Sequence, residues 1–153
     1  MPLFPWQKKK EFFAHDEKAQ LVEAIQLAEQ RTSGEVRVYV ESHCRYVDAL
    51  DRAKEVFDSL KMGETELRNA TLVYVAVKDR QVAVYGDAGI HEKVGQLYWE
   101  EAVNKMMVAF RQQSLTNGLL QIIKDIGEAL HYYFPYDSTT DKNELPDDIV
   151  FGR

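Results

Sequence analysis

The sequence predicts an α/β fold, a three-layer α/β/α sandwich around a small mixed sheet, with its elements in the order αβαββαα. Three observations predict it. Val36, Val38 and Val40 alternate with polar residues, which is typical of a strand. Residues 70–77 are almost continuously apolar, which indicates a strand buried on both faces. Four further segments repeat apolar residues at helical spacing, enough helices to cover both faces of such a sheet.

The first half of the domain is predicted to contain two helices around one strand. Apolar residues recur at helical spacing over residues 16–31, and the pair Ser33-Gly34 follows as a helix stop. The alternating strand covers residues 35–41. Helical spacing returns over residues 46–61, and this helix is expected to end before Gly63.

The second half is predicted to contain a hairpin and two long helices. The apolar strand over residues 70–77 is followed by a polar turn and by a short strand over residues 82–85. Helical spacing then covers residues 91–111 and 115–133. The strand–helix–strand unit is expected to be a right-handed parallel crossover, and the hairpin adds an antiparallel strand.

Composition bounds the functions that this chain can have. Its 153 residues are enough for one domain, and its net charge of −6 argues against general nucleic-acid binding, which needs a basic face. One cysteine, Cys44, excludes an internal disulfide framework. The short apolar start before residues 8–10 does not resemble a secretory signal, and no apolar run is long enough to span a bilayer. We therefore expect a cytoplasmic protein without a transmembrane segment.

The chain is expected to divide into an N-terminal arm over residues 1–11, the α/β/α domain over residues 12–135, and an acidic C-terminal tail over residues 136–153. From Pro135 onward five acidic residues outnumber two basic ones, which gives this stretch a net charge of −3. Residues 149–151 are too apolar for a free tail, so we expect them to pack on the domain or on a second subunit.

The topology predicts that three loops meet at one end of the sheet, where the two parallel strands begin and the antiparallel strand finishes. Carboxylate and amide oxygens from several loops suit a hard cation such as calcium or magnesium. The alternative is that these side chains have structural roles: Asp87 would cap the following helix, and Glu35 and Glu64 would be solvated. The polar side chains that the three loops offer are Glu35, Glu64, Thr65, Glu66, Asn69, Asp87, His91 and Glu92.

No complete catalytic set is visible in the sequence. Residues 86–89 lack the glycine spacing of a dinucleotide-binding loop, and Gly95 stands where a zincin motif starting at His91 needs its second histidine. His43 and Cys44 are neighbours at a strand end and point to opposite faces, which argues against a catalytic dyad. The catalytic residues, if any, are therefore unknown.

Several segments resemble the TPM domain family, which is named for a thylakoid-lumen protein, a photosystem II repair protein and a nematode receptor modulator. Residues 31–38 resemble its opening strand motif, residues 68–76 are similar to its second strand, and residues 79–91 look like its hairpin and following turn. The resemblance covers residues 12–135, and residues 134–147 look like the tail of stand-alone bacterial members.

The resemblance implies an α/β/α sandwich. It also implies that the predicted loop cluster binds a divalent cation, especially calcium. Two family carboxylates are absent here. Arg68 replaces the acidic residue of an Asp-Asn-Gly motif, and a histidine stands where many members carry glutamate. The metal ligands that this resemblance leaves are Asp87, Glu35, Asn69 and His91.

The sequence thus favours a calcium-binding (or magnesium-binding) domain that acts through an unknown protein partner, as a monomer or a weak homo-oligomer. The acidic tail and the aromatic residues near both ends of the domain support the protein interaction. The alternative implied by the resemblance is a metal-dependent acid phosphatase acting on phosphomonoesters. For that activity Thr32, Ser33 and His91 are candidates by position alone.

Overall fold

The computed structural model describes residues 12–136 and 149–152. All seven predicted elements are present, and a short eighth one, a strand, follows them. The predicted N-terminal arm and most of the predicted tail lie outside the described residues. In chain order the elements are α1 His15–Glu29, β1 Glu35–Glu41, α2 Ala49–Ser59, β2 Ala70–Ala76, β3 Gln81–Gly86, α3 Ala88–Gln112, α4 Leu115–Tyr133 and β4 Ile149–Phe151.

The four strands form one mixed sheet in the order β3-β2-β1-β4. Strands β1 and β2 are parallel, with Glu35 opposite Ala70, and β3 returns antiparallel to β2, with Gly86 opposite Thr71. The parallel crossover and the hairpin expected from the sequence are therefore confirmed.

Helices cover both faces of this sheet. On one face, Val36, Val38 and Val40 of β1 join a buried core with residues of α1, α3 and α4. On the other face, Leu72 and Tyr74 of β2 pack with residues of α2. Alternation along the strands separates these two cores, and the molecule is the three-layer α/β/α sandwich that the sequence predicts.

Strand β4 shows where the apolar end of the chain packs. It lies parallel to β1 at the sheet edge, with Ile149 opposite Val38. Ile149 is only 4% exposed, and the ring of Phe151 stacks on Phe12 at a centroid distance of 6.2 Å. Residues 149–151 thus pack on their own domain.

Helix α3 differs from its prediction in two ways. It starts at Ala88 rather than at His91, because the Asp87 side chain caps it by accepting a hydrogen bond from the Ala88 N–H. It also breaks at Gly95, which has the left-handed φ of 80° and divides it into helical halves over 88–94 and 96–112. None of the described helices is long and apolar enough to cross a membrane.

Candidate functional site at the loop cluster

Three loops meet where β1 and β2 begin and β3 ends, as the topology predicted. The Asp87 N–H donates to the Ala70 carbonyl at 2.9 Å, and the Gly89 N–H donates to the Arg68 carbonyl at 2.8 Å. The Glu35 N–H donates to the Asn69 carbonyl at 3.4 Å. Backbone hydrogen bonds therefore fix the loop over residues 64–69 against both the start of β1 and the start of α3.

Asp87 is one of two buried acidic residues in this cluster, the other being Glu35, and 2% of its surface is exposed. Its two carboxylate oxygens accept from Arg68, from Nε at 2.6 Å and from Nη2 at 2.8 Å. The same carboxylate accepts from the Ala88 N–H at 2.8 Å and so caps α3. A bidentate guanidinium compensates this charge, as a buried carboxylate requires.

Arg68 itself lies at the surface, with 55% of its side chain exposed. Its φ of 53° is left-handed, which orients the residue away from the extended path of β2. The hydrogen bonds and the charge of Asp87 raise the pKa of Arg68 above its usual value. The cation that replaces the family's acidic residue thus pairs with Asp87.

The other two predicted oxygen ligands, Glu35 and Asn69, lie where β1 and β2 begin. Glu35 is buried and lies opposite Ala70, which belongs to the core on the α2 face. Asn69 precedes Ala70, and its side-chain Nδ2 donates to Ser33 Oγ at 3.2 Å. The amide of Asn69 thus binds the loop that precedes β1.

His91 lies one helical turn after Asp87 and is exposed. Its Nδ1 accepts a hydrogen bond from the indole Nε1 of Trp99 at 2.9 Å, which leaves Nε2 as its free ring nitrogen. His91, Arg68 and Asp87 line a cleft of about 400 Å³ together with Trp99. Sequence reasoning missed the tryptophan, because the break at Gly95 lies between it and His91 and helical spacing does not relate residues across that break.

The loop before Arg68 supplies one further oxygen. Thr65 is buried, and its Oγ1 has no hydrogen-bond partner among the residues that the structure describes. Gly63 also approaches Asp87, since a Cβ at this position would lie 3.8 Å from Oδ2. Within the described ranges no three His, Cys, Asp or Glu side chains group as metal ligands. In this structure the cation beside the Asp87 carboxylate is the guanidinium of Arg68.

The two hydroxyl candidates have structural partners. Thr32 Oγ1 donates to main-chain carbonyls at the end of α4, including Leu130 O at 3.0 Å, and accepts from the Gly34 N–H at 3.0 Å. Ser33 Oγ accepts from Asn69. Both hydroxyls thus hold the start of β1 in place, and neither lines the cleft at Asp87.

The opposite end of the sheet carries a second polar cluster. His43 Nδ1 contacts Asp79 Oδ1 at 2.9 Å, and the Cys44 N–H donates to Asp79 Oδ2 at 2.7 Å. The hydrogen bond from His43 lowers the pKa of Asp79. Cys44 Sγ contacts the Tyr46 carbonyl. These contacts join the end of β1 to the hairpin turn, with Asp79 as the partner of both His43 and the Cys44 N–H.

Comparison with known proteins decides the family. The model of the TPM domain matches residues 7–129, most of the chain. The chain belongs to the TPM domain family. The resemblance seen in the strand motifs is therefore confirmed. No curated protein matches this TPM-domain chain.

Two solved structures are similar to this TPM domain. The NMR structure of the BA42 protein from the psychrophilic bacterium Bizionia argentinensis has 41% sequence identity and a TM-score of 0.85, covering 95% of this chain and 99% of that one. The N-terminal domain of the cg2496 protein from Corynebacterium glutamicum has 12% identity and a TM-score of 0.55, covering 92% and 90%. The second likeness shows a shared fold alone.

Proposed function

We propose that this TPM domain binds calcium at Asp87 and acts through a protein partner, with Arg68 as an internal cation that competes for the same carboxylate. The observation that carries the proposal is the pairing of a buried carboxylate with a half-exposed guanidinium. A buried carboxylate needs a cation, and the guanidinium of Arg68, whose side chain is 55% exposed, can turn into solvent when another cation takes its place at Asp87.

The oxygens available at this end of the sheet suit calcium better than magnesium. Calcium accepts six to eight oxygens in flexible geometry, whereas magnesium needs a near-ideal octahedron. Glu35 begins β1 and Thr65 lies in the loop before β2, and both are buried at this end of the sheet. Among the described residues, Thr65 Oγ1 has no hydrogen-bond partner. With few acidic ligands we expect weak binding, with a dissociation constant on the order of 10⁻⁴ to 10⁻³ M.

The test is a calcium titration of the whole chain, followed by amide chemical shifts. Shifts at Glu35, Asp87 and the loop over residues 64–69 are expected to move in one saturable step. Arg68→Gln removes the competing cation and should tighten calcium binding by about tenfold, which corresponds to about 1.4 kcal/mol. Asp87→Asn should abolish the response.

Arg45→Gln is the matched control, because Arg45 is an exposed arginine outside the cluster and its loss changes the net charge equally. Its calcium affinity should stay at the wild-type value. The site would be ruled out if the amide shifts around Asp87 did not move at about 10 mM calcium in either the wild type or Arg68→Gln.

A metal-dependent phosphatase is the second candidate, and the cleft beside Asp87 favours it. Arg68 and His91 both line this cleft, so a phosphate group there would meet a guanidinium and an imidazole. Calcium or magnesium held at Asp87 would polarise the phosphoryl oxygens. A generic phosphomonoester assay with metal should show turnover in the wild type and none in Asp87→Ala. Equal turnover by both proteins would assign the activity to another site or to a contaminant.

A further inference from the structure

A second concave surface lies between α3 and α4, and it shares no lining residue with the cleft at Asp87. It is a groove of about 400 Å³ with an apolar floor that includes Val94 and Ala129. We call it the tyrosine–acid groove after the six side chains that define its walls, Tyr98, Glu101, Asp125, Glu128, Tyr132 and Tyr133.

The tyrosines give the groove flat aromatic surfaces in fixed orientations. The rings of Tyr132 and Tyr133 meet edge to face, with centroids 4.8 Å apart and planes at 88°. Tyr98 Oη donates to the Asp125 carbonyl at 2.9 Å, which ties α3 to α4 at this point. Tyr132 is 77% exposed, so its ring stays accessible to a ligand although it contacts Tyr133.

The charges of the groove are predominantly negative. Its lining carries Glu101, Asp125 and Glu128 against one cation, Lys105. Neither Glu101 nor Glu128 forms an ion pair with another residue that the structure describes. Burial raises the pKa of Tyr98 to about 12, and the nearby charges of Asp125 and Glu128 act in the same direction. The groove therefore combines aromatic faces with uncompensated carboxylates.

We propose that the tyrosine–acid groove binds an arginine side chain from a basic segment of a partner protein. A guanidinium is planar, stacks on tyrosine rings and pairs with carboxylates through two parallel hydrogen bonds. Charge complementarity selects this occupant, because an acidic or wholly apolar segment would leave the excess of the three carboxylates over Lys105 without a counter-charge. The inference specifies the partner chemistry of the protein interaction proposed above, and it does not depend on calcium.

The experiment uses the whole chain and an acetylated, amidated Gly/Ser peptide that carries two arginines. Amide shifts should move at the residues that line the groove and stay still at the Asp87 cluster. The same peptide with citrulline in place of arginine keeps the shape and loses the charge, so its binding should be at least about tenfold weaker. Binding should weaken further as salt is added, because the carboxylates are near the surface.

Two variants distinguish binding at the groove from nonspecific attraction to an acidic protein. Glu128→Gln and Tyr132→Ala should each weaken binding of the arginine peptide by about tenfold. Glu23→Gln, an exposed change on α1 that removes the same charge, should leave the affinity unchanged. The proposal would be overturned if the citrulline peptide bound as tightly as the arginine peptide, or if the shifts spread over the whole acidic surface. It would also be overturned if both groove variants kept the wild-type affinity. Groove shifts that move on dilution without peptide would assign the groove to a second copy and overturn it as well.

A failure here leaves the calcium proposal intact, since the calcium titration reports on Asp87 and on none of the groove residues. Equally, a calcium titration without response would not change the expected binding of the arginine peptide. The two proposals therefore fail separately.

Discussion

Gly89 is the position where a single methyl group should disrupt the loop cluster. An added Cβ would lie 2.1 Å from the Leu67 carbonyl oxygen and 2.6 Å from that of Arg68. Both are backbone atoms, so neither can rotate away as a side chain would. Gly89→Ala should therefore push the loop over residues 64–69 away from α3 and break the hydrogen bond from the Gly89 N–H to Arg68.

The expected cost follows from these distances. Overpacking of a well-packed site costs about 1–3 kcal/mol, and the upper end applies because the backbone must move. The lost hydrogen bond adds about 1 kcal/mol, so we expect a total near 3 to 4 kcal/mol. Since a domain of this size loses about 2–4 °C of Tm per kcal/mol, the Tm of Gly89→Ala should fall by roughly 6–16 °C.

Urea and thermal denaturation of Gly89→Ala measure this loss, and Gly63→Ala is the matched control in the same cluster. A Cβ at Gly63 would lie 3.7 Å from the Phe57 ring and 3.8 Å from Asp87, which is ordinary contact. We expect the control to change the free energy of unfolding by less than about 1 kcal/mol, in either direction. A Gly89→Ala protein as stable as wild type would refute the close approach of α3 to this loop.

Three further predictions concern other parts of the fold. In Gly95→Ala the added Cβ meets no other atom, but φ of 80° with ψ of 168° is a conformation almost exclusive to glycine, so the change should cost about 1–3 kcal/mol in urea denaturation. Ile149→Ala should cost about 2–4 kcal/mol by the same measurement, because Ile149 is buried in β4. Hydrogen bonds from Ala14 and Thr116 lower the pKa of Glu17, so its stabilisation is present above the unfolded pKa near 4.5 and is lost as the pH falls through the folded value. In urea denaturation as a function of pH, Glu17→Gln should therefore show a shallower acid loss than wild type, and an unchanged slope would contradict the pairing.

Periodicity was sufficient to predict most of the fold. The alternation of Val36, Val38 and Val40 predicted β1 at its observed bounds, and α4 also starts and ends where helical spacing placed it. The start of α3 was placed three residues late, because the capping role of Asp87 was one of two alternatives for that residue. Strand β4 has only three residues, too few for a periodic pattern, and its pairing with β1 is a long-range contact.

The position of the candidate site could be predicted from the sequence, but its side-chain contacts could not. Parallel pairing of β1 and β2 was enough to bring Glu35, Asn69 and Asp87 to one end of the sheet. The orientation of each side chain could not be predicted in the same way, because residues beyond a strand end follow the local turn. Arg68 shows this best, since its left-handed backbone directs it to a carboxylate 19 residues away. Its substitution was visible in the sequence, and its partner was not.

A crystal structure of the wild-type protein grown with calcium at about 10 mM would show whether calcium and Arg68 compete for the Asp87 carboxylate. We expect an ion at oxygen-ligand distance from Asp87, with the guanidinium of Arg68 turned into solvent. An Arg68 side chain still bidentate on Asp87, with no ion beside it at this concentration, would contradict it.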